Sequence, residues 1–355
     1  MEPFGCYVHV PFCAARCDYC AFATWTDRSE LVGRYLAACR RQVEAEVEAG
    51  LPVVTSVFVG GGTPSLVPPE QLLAVLEPLP LAPGAEVTVE CNPDTVTAAL
   101  LAAYVDGGVN RISIGVQSMV PRVLAALGRT HDPANVRRSV ELVRSAGIER
   151  WNVDLIYGAA TERLGDWRST LEESLALEPP HVSAYGLTVE PGTALFDDPA
   201  RHPDDDDQAD KYVLATELLG DAGLQWYEIS NWARPGQACR HNLLYWAQGD
   251  YAAIGCSAHG HRDGRRFWNV RTPERYVEAV EEGGSPQAAD ERLDIDARRI
   301  ERLQLALRTN DGVPVDALPL GDDPALEGLV EVVHGRAHLT VDGRLLANEV
   351  AVRLR

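Results

Sequence analysis

Lysine is nearly missing from this chain: Lys211 is the one lysine among 32 basic residues. That bias reads as genome composition and carries no functional weight. Positive charge as a whole is also short, since 52 acidic residues leave a formal net charge of −20. A duplex phosphate backbone is thereby excluded as the expected partner, because such binding needs a concentrated basic face. Long hydrophobic runs are absent too. Nothing approaches the roughly 18 to 20 apolar residues of a membrane span. The opening MEPFGCYVHVPFC lacks the basic segment, apolar core and small-residue cleavage site of an export signal. The expectation is a cytoplasmic chain without a transmembrane segment. What is present is ordinary globular material, 46% hydrophobic and 24% charged over 355 residues. That is enough for a large barrel plus an appendage, and too apolar for general disorder.

From residue 5 to about 188, β-rich runs alternate with helical ones. Strands are predicted at 6–10, 56–60, 86–90, 111–116, 151–157 and 181–187. In the first helical run Leu31, Tyr35, Cys39, Val43 and Val47 repeat every four residues, one apolar stripe for a sheet. Further helices are predicted near 69–78, 96–107, 134–147 and 166–177. Another, at about 207–222, follows PDDDDQAD (203–210), whose acids suit the helix's N-terminal dipole. Serial strand–helix units of this kind imply an α/β fold with a parallel sheet, either doubly wound or a barrel. In both, ligands sit at the C-terminal ends of the strands. Beyond 225 the pattern is irregular, with aromatics from Trp226 to Trp268. The last segment predicts a helix at 296–308 and a hairpin turning at Asp342-Gly343, together a small winged-helix-like cap. Nine arginines against 13 acids over 288–355 assign that cap to packing rather than DNA reading. The domains expected are a barrel over 1–225, a connecting region over 226–287 and the cap over 288–355.

Eight cysteines in a chain this large read as reduced thiols, not as a disulfide framework. Cys6, Cys13, Cys17 and Cys20 fall within 15 residues, while Cys39, Cys91, Cys239 and Cys256 are scattered. CAARCDYC places Cys13, Cys17 and Cys20 on a loop after the first strand, where three thiolates can converge on a soft centre. Zinc would want a fourth ligand, for which Cys6 and His9 are the candidates. A 4Fe-4S cluster on three cysteines leaves one iron open to a small molecule. Spacing alone favours neither.

Context does. A C-x3-C-x2-C loop after the first strand, with GGGTPS after the second, resembles the radical S-adenosylmethionine (SAM) superfamily. YVHVPFC, FVGGGTPSL (58–66), ECNPD (90–94), RISIGVQS (111–118), LGRTHD (127–132) and NVDLIYG (152–158) narrow the resemblance to the oxygen-independent coproporphyrinogen oxidase group, over essentially the whole chain. The resemblance implies a partial (β/α)6 radical SAM barrel. In it the amino and carboxylate groups of SAM meet the open iron, and the cluster can supply an electron that cleaves the sulfonium. It further implies that Tyr7, Gly61, Glu90 and Thr188 contact the cluster-bound SAM. Tyr19, Gly62, Thr63, Gln117, Arg129 and Asp154 match positions that contact a second SAM in the dehydrogenase branch, and His259 falls at a late SAM contact there. These residues suit the chemistry. Gly60-Gly61-Gly62 would let backbone amides approach a ligand, carboxylates accept from ammonium or ribose groups, and an arginine clamps a carboxylate.

One departure separates two branches. The coproporphyrinogen dehydrogenases carry a further cysteine two residues after the triad, where this chain has Phe22, and a long N-terminal extension before the cluster loop. RHNLLYW (240–246) instead resembles the signature of the heme chaperones of the same group. That resemblance implies heme binding and delivery to an acceptor hemoprotein, respiratory and membrane-associated being one such class. Chemically, His241 offers an axial imidazole, Arg240 a propionate partner, and Tyr245 and Trp246 flat faces for a macrocycle. Cys239, His259 and His261 are rival iron ligands. Radical decarboxylation of coproporphyrinogen III is the alternative reading, and a zinc-stabilised binding module a third.

Overall fold

The computed structural model describes residues 2–321 and 323–355. Six parallel strands form its centre: β1 (Phe4–Val10), β2 (Val54–Gly61), β3 (Leu81–Cys91), β4 (Arg111–Gln117), β5 (Arg150–Tyr157) and β6 (His181–Gly186). They lie side by side in chain order, so each strand–helix unit adds to the same edge. A doubly wound sheet would reverse its strand order at a switch point. This one does not reverse, and the arrangement is a partial barrel.

The helices between these strands are α1 (Val32–Glu48), α2 (Pro69–Leu76), α3 (Ala98–Asp106), α4 (Pro121–Ala126), α5 (Pro133–Ser145) and α6 (Leu164–Leu175). Apart from α4, whose Val123 packs in a separate cluster with Ile156, Leu187 and Leu195, their apolar stripes meet the outward strand residues Val57, Val59, Val87, Val89, Ile112, Ile114, Val153 and Val182 in one continuous core. Alternate residues of the same strands face the other way, and most of these are polar, with Phe58 and Ile156 as exceptions. Register aligns Glu90, Ser113, Asn152 and His181 in one row, with Asp154 and Ser183 in the next. Burial of the outer face builds the fold, and the inner face is left for chemistry.

Helix α7 (Asp205–Asp221) follows the acidic run. Asp204 caps it by accepting from the Asp207 amide at 2.9 Å. Lys211 is fully buried, its ammonium 2.5 Å from Asp207 and 3.2 Å from Glu162. The irregular stretch beyond 225 is regular after all. It holds β7 (Gln225–Glu228), β8 (Asn231–Ala233), α8 (Arg240–Trp246), β9 (Asp250–Ile254), β10 (His259–Arg262), β11 (Arg265–Asn269), α9 (Pro273–Glu281) and β12 (Gln287–Arg292). Strand β9 pairs parallel to β1, β10 to β12 continue antiparallel beyond it, and β8 and β7 extend the opposite edge, for an open sheet of twelve strands. Strands of three to six residues are too short to show a period in sequence.

The C-terminal part has its own small core, including Leu307, Val313, Leu326, Ala337, Leu339 and Val350. It comprises α10 (Ile295–Ala306), the antiparallel strands β13 (Val313–Pro314), β14 (Val330–Val333) and β15 (Arg336–Leu339), and the short helices α11 (Val341–Leu345) and α12 (Ala347–Ala351). The hairpin predicted at Asp342-Gly343 lies elsewhere. The chain reverses at His334-Gly335, both in the left-handed region at φ 49° and 76°, as a two-residue hairpin turn requires. Asp342 and Gly343 belong to α11, where Thr340 accepts from the Gly343 amide at 3.0 Å. A helix cap three residues upstream outweighed the Asp-Gly turn signal.

Candidate functional site

The loop after β1 is pinned at its base. Cys13 N donates to Trp25 O at 3.0 Å and Trp25 N to Pro11 O at 2.7 Å. Its middle is held by Asp18, whose amide reaches Leu127 O and whose carboxylate pairs with Arg201 at 2.7 Å. The Cys13, Cys17 and Cys20 thiols are free, half-buried, and open onto one cavity of about 760 Å³. Thr63 Oγ1 donates to Cys13 Sγ at 3.7 Å and Arg129 Nη1 to Cys17 Sγ at 3.6 Å. Burial raises the Cys13 and Cys20 thiols above their ordinary range.

The two proposed fourth zinc ligands are not available to this loop. Cys6 is wholly buried in the main core, its thiol pushed up to about 12 by desolvation. Both nitrogens of His9 are engaged, by Tyr7 OH at 3.0 Å and Ala23 O at 2.9 Å. Among the described residues no three His, Cys, Asp or Glu side chains close on a single ion. Three thiols opening on one cavity, with the Arg129 guanidinium beside Cys17, supply the three-cysteine ligand set of a 4Fe-4S cluster.

Tyr19, Gly61, Gly62, Thr63, Glu90, Gln117, Arg129, Asp154 and Thr188 line this same cavity with the three cysteines. Glu90 accepts from the Gly61 amide at 3.1 Å. Burial, and then the nearby Asp154, push its carboxyl up to about 8, so a cation arriving in the cavity meets a group ready to ionise. Asp154 accepts from Ser113 Oγ and, at 2.9 Å, from Asn152 Nδ2. Arg129 Nη2 donates to Gly115 O at 2.9 Å, while its Nε and the Oε1 of Gln117 are buried without partners. Gln117 sits at φ 63°, an uncommon conformation for a residue with a side chain.

Packing also requires the glycines. The Gly61, Gly62 and Thr63 amides already donate within the protein, to Glu90, Val10 O and Phe12 O. A Cβ on Gly61 would meet the His9 ring at 2.4 Å, one on Gly62 the Phe12 carbonyl at 2.6 Å, and one on Gly60 the Glu90 carboxyl at 2.9 Å. Close packing of the β1 and β2 ends requires these glycines.

Tyr7 and His259 lie outside the cavity lining. The Tyr7 ring packs 6.5 Å from Phe58, which does line it. His259 is exposed on β10, stacked on Trp268 at 5.7 Å. Several lining residues escaped the sequence reading: Ser113, Asn152, His181, Ser183 and Tyr185 on the strands, and His131 after them. Strand parity carried the signal for the first five, which alternate with the apolar residues facing the helices.

RHNLLYW forms α8, near the starts of β1 and β2. Cys239 and Asn242 touch the cavity floor, but His241 does not reach it. His241 is fully buried; Ser56 Oγ lies 3.0 Å from Nδ1 and Tyr245 OH 2.8 Å from Nε2. Desolvation lowers its pKa to about 3, so the ring is neutral. Glu86 holds the start of the helix, accepting from the Arg240 amide at 2.8 Å and the His241 amide at 3.4 Å. Arg150 and the buried Arg111 stand 3.5 and 3.8 Å from its carboxylate. Cys239 Sγ is 3.6 Å from the same carboxylate, its thiol pushed up to about 12. His261 is buried against Gly249 O at 2.9 Å. Trp246 is half-buried.

Comparison with known proteins agrees with this architecture. Residues 7–173 match the model of the Radical SAM superfamily. The structure of coproporphyrinogen III oxidase (HemN) from Escherichia coli superposes with a TM-score of 0.86 at 23% identity, over 99% of this chain and 89% of that one, and so shares the fold. The protein named heme chaperone HemW of Mycobacterium tuberculosis H37Rv is 40% identical over 98% of this chain and 94% of its own length. Its namesake in E. coli K12 is 35% identical over 99% and 97%. Barrel, cysteine loop and near end-to-end similarity agree, and the chain belongs to the HemW heme chaperone family of the radical SAM superfamily.

Proposed function

We propose that this protein binds heme, a 4Fe-4S cluster and SAM, and delivers the heme to an acceptor hemoprotein, with membrane-associated respiratory proteins the class to try first. The observation that carries the reading is the near full-length similarity to proteins named heme chaperones, on a chain whose cysteine loop reads CAF where the dehydrogenase branch reads CAC-like spacing. The side chain there is Phe22, 66% exposed at the cavity rim, an apolar surface in place of a thiol. Among the described residues no helix is long and apolar enough to cross a membrane, and the proposed location is the cytoplasm. The proposed division is a barrel over 1–225, the segment carrying α8 over 226–287 and the cap over 288–355.

In this reading Cys13, Cys17 and Cys20 hold the cluster, and Arg129 offsets thiolate charge beside Cys17. Bound there, the cluster supplies one-electron transfer to an attached sulfonium. Glu90 and Asp154 accept from the ligand's ammonium and hydroxyl groups, and Tyr19, Gly61, Gly62, Thr63, Gln117 and Thr188 shape the remaining walls. Tyr7 supports the wall from behind through Phe58.

Heme is assigned to α8 through His241, Tyr245 and Trp246, with the exposed Arg240, which donates to Gly84 O at 3.0 Å, offered to a propionate. Both His241 nitrogens are occupied in the structure, so iron binding there requires the helix to loosen first. His259 is the rival with an accessible ring. The test is anaerobic reconstitution followed by separate assays for bound heme and for consumption of coproporphyrinogen III. Heme binding without porphyrinogen turnover is expected. Robust turnover would make the dehydrogenase reading the correct one.

A further inference from the structure

Of the polar cavity side chains with no function assigned above, His131 is bare on both of its polar atoms. His131 follows Arg129 in LGRTHD, lines the cavity, and is 5% exposed. Neither of its ring nitrogens has a hydrogen-bond partner; the Val116 backbone is near but outside bonding geometry. Buried imidazole nitrogens are normally satisfied, because each one left bare costs free energy on folding. Gln117 Oε1 and Arg129 Nε, on the same wall, are bare as well. Burial and the Arg129 charge keep the His131 ring neutral, with a pKa lowered to about 4. A neutral imidazole offers one donor and one acceptor. Its charged neighbours are Arg129, whose effect is the larger, and the carboxylates of Asp94 and Asp132.

We infer that His131 is a direct contact of the adenosine end of SAM, giving and accepting hydrogen bonds to its neutral hydroxyl and amine groups. The inference rests on reading this cavity as a SAM site. Within that reading the charged methionine end belongs to the thiol loop, where Arg129 meets Cys17 and Glu90 meets Gly61. The neutral imidazole is left for the nucleoside, whose groups both donate and accept.

The test uses the full reconstituted chain and two probes, SAM and 5′-methylthioadenosine, titrated calorimetrically into wild type, His131→Leu and His131→Gln. The second probe keeps the nucleoside and lacks the amino-acid end. His131→Leu should weaken both by roughly ten- to hundredfold, the worth of one or two buried hydrogen bonds, with iron content unchanged. His131→Gln, which restores a donor and an acceptor, should recover most of that loss. Without ligand the Leu variant should melt no lower than wild type, because it removes two unpaired nitrogens; this separates lost binding from misfolding. Wild-type affinity of the Leu variant for methylthioadenosine would overturn the assignment, even if SAM alone were weakened. Failure of the wild type to bind either probe would overturn the SAM reading beneath it, and the assignment with it.

Discussion

Two buried histidines of this molecule, His131 and His241, stand on opposite terms. At the C-terminal ends of the strands, Gln117 Oε1, Arg129 Nε and both nitrogens of His131 are buried and bare. Around α8, His241 has a partner on each nitrogen and the first amides of the helix meet Glu86, while Glu86 Oε2 and the Nε and Nη2 of Arg111 beside it are bare. Unpaired buried polar atoms are tolerated where a ligand completes them, and a ligand-ready site shows them. By that criterion the His131 ring is ready for a ligand and the His241 ring is not. The helix with the heme-family signature is closed, and its partners must be displaced before it can act.

The sharpest contrast is in the cysteines. Cys13→Ala, Cys17→Ala or Cys20→Ala should abolish reconstituted iron–sulfur absorbance, whereas Cys39→Ala and Cys91→Ala, buried in the core, should retain it. Iron analysis beside the visible spectrum checks this, and stoichiometric zinc in place of iron would contradict it.

Loosening α8 should act in the other direction. Glu86→Gln removes the carboxylate paired with the buried Arg111 and should cost about 3–5 kcal/mol of stability in a denaturant titration. The same variant should bind heme more tightly, because a site populated only part of the time has its affinity reduced by that fraction. Tyr245→Phe, which frees His241 Nε2, should cost only about 1 kcal/mol and alter the Soret band of bound heme. A Tyr245→Phe spectrum identical to wild type would move suspicion to His259.

The contrast also shows in pH. His131 has a pKa near 4 in the folded protein against 6.5 in the unfolded chain. The unfolded state therefore binds its proton first, and the stability this ring contributes is full above pH 6.5 and falls away toward pH 4. His131→Gln should remove that share, about 1.4 kcal/mol per pH unit for one proton. Paired unfolding curves between pH 6.5 and 4 measure the difference.

How much of this was legible in sequence depends on which face of a strand is asked about. The six barrel strands were readable because their outer faces carry Val and Ile against helices, and Glu90 and Asp154 were found from motifs on the inner face. Ser113, Asn152 and His181 share rows with them but carry no motif, and only register brings them together. The purpose of Gly61 was hidden because the clash it avoids, with His9, is between residues 52 positions apart on neighbouring strands. His241 looked available in RHNLLYW because Ser56, which occupies one of its nitrogens, lies far upstream. Sequence shows what a side chain can bind; its existing partners emerge only from the fold.

Hydrogen exchange across Arg240–Trp246, measured with and without heme, tests the closed-helix account most directly. In the free protein the Arg240 and His241 amides bond to Glu86 and should exchange slowly. Heme should speed exchange there while leaving the strand amides of β2 and β3 protected. Unchanged or slower exchange on heme binding would contradict the account, and would mean that heme binds without opening α8.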